Sequence, residues 1–429
     1  MVTDLTHHIQ TIRLVDTHEH MRRENDWVEN GPDILQDLFG NYVPADLHTA
    51  GASPQAMQNL MDASQDVADR FDGIRDAWEA TQFTSYGEAV RLIAKHIYAL
   101  DELTSHGLAA AQDKAKALRS PGERYRILHD VAKLDHVQTD DFSWPCHPDT
   151  SGLDFFLYDL SWATFCNGQV DPSAIHAETG IDVTDLGSLK HSMEAIFAKH
   201  APLAIAVKSQ HAYNRTLNWI ERSDDEAAKA LDNVLTRDAS EIDEATRLCL
   251  GDWCWARGVE LTIAHNLPFK IHTGYYAGND RMPLRRIPAG NMCALFARYL
   301  DAKFVLMHIA YPYSDELVAL AKHYRNIWVD FCWAWSIDAY SSRDFLRRCI
   351  HAVPSNKLFA FGGDTGWPTS AMAYAMQARN EIRRALEAEI ADGYLTEKQA
   401  MELATRIMHT NQYACFDVEG TRANIQKAA

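Results

Sequence analysis

Positive charge is scarce in this chain. Its 429 residues carry 41 Lys and Arg against 59 Asp and Glu, a formal net charge of −18. Such a surface repels phosphate backbones, which argues against nucleic acid as a partner. Long apolar runs are missing as well. No stretch approaches the roughly 18–20 residues needed to cross a bilayer, so no membrane span is expected. The first residues, MVTDLTHHIQ, show no basic segment followed by an apolar one, so no secretory signal is expected there. Cysteines number eight and form no CxxC pair. That is too sparse for a disulfide scaffold and reads as reduced residues of a cytoplasmic protein. Cys146, in WPCHPD, reads as a loop thiol without a role. Internal repeats and low-complexity linkers are absent too. What is abundant is apolar residues, 47% of the chain, enough for a large core and too many for disorder.

Those residues fall into short runs separated by longer helical stretches. Expected strands are Ile12–Thr17, Leu134–Thr139, Phe155–Leu160, Ala204–Val207, Phe269–His272, Phe304–His308, Ile327–Phe331 and Leu358–Gly362. Short, continuous apolar runs suit strands of a parallel sheet covered on both faces. Between them, DEATRLCLGDWCWARGVE and AGNMCALFARYLDA place apolar residues at helical spacing. Eight such strands with helical crossovers predict a (β/α)8 TIM barrel spanning residues 1–429 as one domain. The interval from strand one to strand two is too long for one crossover helix. It reads as a helical insertion at about residues 25–130, on the face where barrel enzymes do their chemistry. The segment after about residue 371 reads as a helical tail.

Ionisable residues stand at the tips of five of these strands. VDTHEH places His18 and His20 on one face of strand one, roughly 6.5–7 Å apart along the chain. Lys208 ends strand four, His272 strand five and His308 strand six, and Asp364 follows strand eight in GGDTG. Each is costly to bury alone unless paired or metal-bound. Gathered at the mouth of a barrel, imidazoles and a carboxylate suit Zn²⁺ or a similar ion with an open position for water.

The order HxH, Lys, His, His, Asp on strands one, four, five, six and eight resembles the amidohydrolase superfamily. FKIHTG, VLMHIAYPY and FAFGGDTG are similar to its amidohydrolase-2 branch, as is the tail ATRIMHTNQYACF with Asn411 and Phe416. The insertion, including WEATQFTSYGEAVRLIAKHIYALDEL, resembles uronate isomerases of the same superfamily. The resemblance implies that His18, His20 and Asp364 hold one metal. His272 would then be a further ligand, with His308 free to act as acid, base or electrophile. Alternatively, a carbamylated Lys208 bridges two metals, with His272 and His308 on the second. A third option makes Lys208 a substrate-binding group. One ion, or two, of zinc or a similar metal is therefore the expected cofactor.

A bound Zn²⁺ lowers the pKa of water to about 7, and Asp364 is placed to move the proton. Hydrolysis of an amide, lactone or ester in a small molecule is the leading expectation. Metal-dependent decarboxylation and sugar-acid isomerisation are the alternatives, and a binding protein without catalysis is a fourth class. Trp144, Trp162, Tyr275, Tyr276, Tyr311, Trp333, Trp335 and Trp367 crowd the strand tips and suit a ring-bearing substrate. Arg215, in HAYNR, is a candidate carboxylate anchor, and His211 and Gln210 are candidate pocket residues beside it. A homo-oligomer is expected.

Overall fold

The computed structural model describes residues 3–429. Eight strands form one parallel sheet in sequential order. They are β1 (Leu14–Glu19), β2 (Leu134–Thr139), β3 (Phe156–Ser161), β4 (Ala204–Ser209), β5 (Phe269–Ile271), β6 (Phe304–Leu306), β7 (Ile327–Asp330) and β8 (Leu358–Phe359). Backbone bonds close the sheet between its first and last members. Thr17 N donates to Phe361 O (3.1 Å), Asp364 N to His18 O (2.9 Å) and His20 N to Thr365 O (3.1 Å). The architecture is the expected (β/α)8 barrel.

Continuous apolar runs form these strands because both faces are covered, by packed side chains inside and by helices outside. β1, β3 and β4 are buried at every position. Strands five and six stop short of the expected ends: His272 and His308 are not strand residues but lie just beyond β5 and β6. The reason is local. His308, Ile309 and Ala310 are in succession left-handed, with φ of 62°, 48° and 51°, a conformation that breaks the ladder. Trp333 after β7 (φ 61°) and Asp364 after β8 (φ 57°) share it. Each such non-glycine residue costs roughly 1–3 kcal/mol and persists only where the surroundings enforce it.

Between β1 and β2 the chain is helical, from Glu24–Asn30 to Ile127–Val131. This insertion lies against the mouth of the barrel. Asp37 accepts from Tyr98 (2.7 Å) and from Thr369 (2.6 Å), which opens the long helix Pro368–Ala391. The Trp367 indole donates to Gly40 O at 2.8 Å. At the opposite end the tail covers the barrel floor. Asn411 donates to Ser355 O and Leu358 O (2.7 and 2.8 Å), and Phe416 packs on Phe359. All eight cysteines are unpaired. Among the described residues, no helix is long and apolar enough to cross a membrane.

Candidate metal centre

The strand tips meet at the barrel mouth. His18 Nε2 and His20 Nε2 both lie 3.2 Å from the same oxygen, Asp364 Oδ1. Lys208 Nζ is 3.4 Å from His18 Nε2. Next to them, His308 Nε2 stands 2.9 Å from His272 Nδ1 and 3.9 Å from Asp364 Oδ2. His18, Lys208 and His308 are at most 1% exposed, His272 2% and Asp364 5%, so each needs a partner.

The far side of each ring tells which nitrogen carries the proton. His20 Nδ1 is 2.7 Å from Asp140 O, His272 Nε2 is 2.9 Å from Tyr275 O, and His308 Nδ1 is 3.0 Å from Cys332 O. A carbonyl only accepts, so each of these nitrogens is a donor. His18 Nδ1 makes no hydrogen bond, its nearest acceptor being Asp159 Oδ2 at 3.7 Å; its tautomer follows from the near side, where Lys208 Nζ, a donor, faces Nε2 at 3.4 Å. In the neutral rings the near nitrogens therefore carry lone pairs. His18 Nε2 and His20 Nε2 aim theirs at a carboxylate oxygen; His272 Nδ1 and His308 Nε2 aim theirs at each other. Acceptors facing acceptors at about 3 Å repel unless a cation or a proton lies between them. Backing each metal-facing nitrogen with an oxygen on the far side is how proteins orient imidazole ligands.

The carboxylate and the rings titrate against one another. Burial opposes charge on Asp364, yet His18 and His20, in the form that turns a proton toward it, hold its carboxyl well below the usual range. Burial lowers His18, with Lys208 adding to the effect. It pushes His272 well below its ordinary value, reinforced by His308, and brings His308 down to about 4. Burial would lower His20 too, but Asp364 outweighs it and raises that ring. An ionised carboxylate among largely neutral imidazoles is a donor set for a divalent cation. Among the described residues the groups able to hold an ion are His18, His20 and Asp364, and His308, Cys332 and Asp364. His272 is in neither group; its near nitrogen is turned to His308.

Supports reach the centre from below. Lys270 Nζ sits inside the barrel, 2.8 Å from both oxygens of Asp159 and 2.7 Å from Thr17 O. Asp16 and Glu19 are fully buried. Glu19 Oε2 accepts from Thr365 N (2.6 Å) and Asp16 Oδ1 from Gly363 N (3.4 Å), clamping the loop that carries Asp364. Burial drives both carboxyls up, that of Asp16 to about 7. This loop needs its glycines. A Cβ on Gly363 would fall 2.0 Å from Glu19 Oε1, and one on Gly362 2.8 Å from Cys332 Sγ. From above, the Tyr42 hydroxyl donates to the backbone oxygen of Asp364, and its ring packs 4.4 Å from that of Trp333.

A cavity of about 510 Å³ opens over the centre, lined by His20, Tyr42, Lys208, His272 and Asp364 and by polar residues of the surrounding loops. Gln210 lines it; Arg215, His211, Tyr275 and Trp333 do not. Arg215 is engaged elsewhere. It pairs with Asp252 at 2.5 Å and donates to Cys166 O and Thr216 O, both at 3.0 Å. A guanidinium so occupied is not free for a substrate carboxylate, so the geometry corrects that expectation. His211 is buried, held by Ser209 Oγ at 2.7 Å and packed on Trp255. Trp333 is 1% exposed and walls His308, while Tyr275 packs on Trp333. Trp162 and Trp335 are core residues, donating to Cys254 O and Ala360 O. Sequence reasoning missed Asp159, Lys270, Tyr42, Tyr213, Phe142 and Arg281. Asp159 and Lys270 had a readable signal, a charge within an apolar strand, which is expensive unless used.

The profile of the family described as Amidohydrolase matches residues 196–411, half of the chain. The chain belongs to the amidohydrolase family. A curated relative of this amidohydrolase is Protein fluG of Emericella nidulans, 26% identical over 227 residues, or 51% of this chain and 26% of that one. The chain thus spans about a quarter of that relative's length. Among solved structures, the amidohydrolase is similar to glucuronate isomerase from Caulobacter crescentus (TM-score 0.80, 15% identity, 97% of this chain and 93% of that one). It is similar to uronate isomerase from Thermotoga maritima (0.77, 14%, 96% of each chain). A proposed metal-dependent hydrolase from Lactobacillus casei also matches (0.66, 15%, 98% and 99%). At these identities the likeness shows a shared fold, insertion included.

Proposed function

We propose that this protein is a metal-dependent hydrolase that cleaves an amide, lactone or ester bond in a small, carboxylated substrate. The observation that carries the reading is the convergence of His18 Nε2 and His20 Nε2 on one oxygen, Asp364 Oδ1, each at 3.2 Å. Those three residues would hold a divalent ion, zinc by the chemistry of the donor set. His272 Nδ1 and His308 Nε2 face one another as donors for a second ion. When bound, such an ion supplies acidified water and polarises a carbonyl oxygen. The chain supplies the rest. Asp364 Oδ2 faces His308 rather than His18 and His20, and takes a proton at the reacting centre. Lys208, which lines the cavity, would meet the anionic part of the substrate as a cation. The left-handed turn at His308 and the clamp on Asp364 hold both groups in place before substrate arrives.

Metal analysis of purified protein tests the reading together with an amide, ester and lactone panel. Two equivalents are expected, falling to one in His308→Ala and to none at the first position in His18→Ala. Ring-opened or cleaved product is expected from the panel. A protein that takes up no divalent metal, or that releases product equally well without it, overturns the proposal. A second reading, isomerisation of a uronate, is favoured by the overlap with two uronate isomerases across the insertion as well as the barrel. Aldose–ketose exchange on glucuronate, with no cleavage in the panel, would establish it instead.

A further inference from the structure

A second cavity, of about 490 Å³, adjoins the first and shares Phe142, Ser161, Thr164 and Gln169 with it. Its character is different. Its walls include Phe142, Trp144, Pro145, Phe165 and Ile175, and the rings of Trp144 and Phe165 stack at 5.6 Å and 17°. No Lys, Arg or His lines it. Its two carboxylates are already engaged, Asp171 capping the helix Pro172–Thr179 and Glu178 paired with Lys199 and His200. Phe142 links this annex to the metal centre. It is 61% exposed, adopts a left-handed φ of 62°, and lies flat on the His20 ring at 4.5 Å and 7°. An exposed aromatic held in a costly conformation against a ligand ring is a wall awaiting a contact.

The main cavity carries the opposite chemistry. Lys208 and Arg281 both line it, and neither is in an ion pair among the described residues. In a chain with a net charge of −18, two unpaired cations facing one cavity mark the place of an anion.

We infer that the substrate is amphipathic. A carboxylate lies toward Arg281 in the main cavity and an aryl or alkyl group fills the annex of Phe142 and Trp144, with the scissile bond between them over the metal ligands. This rests on the hydrolase reading for the position of that bond and sharpens it into a substrate class, that of N-acyl amino acids and related aryl-bearing carboxylates. A free sugar acid has nothing for the annex.

The test uses probes that cannot react, so that it is independent of the chemistry. Butanoate and 4-phenylbutanoate differ only in the ring. Calorimetry on the metal-loaded protein is expected to show the phenyl compound binding at least about tenfold more tightly, the effect of burying part of one ring. Trp144→Ala should bring that ratio to within about twofold of one. Ala174→Phe, at an exposed helical position lining the annex, should do the same by filling it, and guards against a folding defect in the first variant. Arg281→Gln should weaken both compounds alike and leave the ratio standing. Equal affinities in the wild type, or a ratio that survives both annex variants, overturn the inference. Hydrolysis of N-benzoylglycine, with water added across the C–N bond to give benzoate and glycine, reports separately on the reaction. A protein that prefers the phenyl probe but cleaves no amide, ester or lactone refutes the hydrolase reading and leaves the annex assigned.

Discussion

Two clusters of histidine and aspartate stand at opposite ends of this barrel, and they are built differently. At the floor, Asp135 and His136 open β2. His136 Nδ1 is 2.7 Å from Asp135 Oδ2, and its Nε2 is 3.2 Å from the Gln138 side-chain nitrogen. Asp135 also meets Tyr413 at 2.7 Å, Arg422 at 3.4 Å and His409 at 3.5 Å. The acceptors of Asp135 and His136 there face donors. At the mouth, acceptors face acceptors. Composition does not separate the two clusters; counting protons does. The matched cluster docks the tail against the barrel, whereas the unmatched one is complete only when something positive enters.

The contrast can be broken at either end. The largest effect is expected from His18→Ala, which removes a near-side donor. Metal affinity and kcat/KM should fall by more than the roughly 10–100-fold that outer partners of a ligand are worth, measured by chelator competition and by turnover. Asp159→Asn should fall within that range, because Asp159 only backs His18. It should also cost about 3 kcal/mol of stability in denaturant, since Lys270 is left charged and unpaired. Asp135→Asn removes a carboxylate from the matched cluster. Burial opposes charge on Asp135, but bonds from His136 and His409 hold it well below the ordinary carboxylate range. The variant should lose about 2 kcal/mol of stability with metal content unchanged; a drop in metal content would erase the distinction between the ends. The smallest effect belongs to Asp37, a carboxylate of the insertion in neither cluster. Burial raises it to about 6, so the folded protein binds the extra proton. Its contribution is present below the unfolded value of about 3.9 and is lost as pH rises through about 6. Asp37→Asn should flatten the stability profile in that window.

Much of the mouth was legible from residue type and place. A histidine, lysine or aspartate at the end of a short apolar run, five times over, has few other uses in a barrel. What escaped was of two kinds. The backing groups of His20, His272 and His308 are carbonyls of Asp140, Tyr275 and Cys332, and a carbonyl leaves no mark in a sequence. Arg281 escaped because it lies in a loop, as Arg215 does, where no periodicity tells which way a side chain faces. Arg215 follows β4 closely and looked well placed, yet Asp252 from the helix Glu244–Ala264 takes it. Asp16 and Glu19 carry no sign in the sequence of what they do, which is to hold the loop of Asp364 through Gly363 N and Thr365 N.

The seam between β8 and β1 gives the centre a further property. His18 and His20 come from the first strand and Asp364 from just beyond the last, and the backbone bond from Asp364 N to His18 O is part of the closure itself. The ligand set therefore does not exist on any open form of the sheet. Contacts so remote in sequence carry a large loop-closure cost and slow folding. An ion that binds only the closed ring acts as a clasp, and its binding free energy is added to the closure as a whole. Removing it should be felt first as faster amide exchange at Thr17, His20 and Asp364, before any helix on the outside of the barrel loosens.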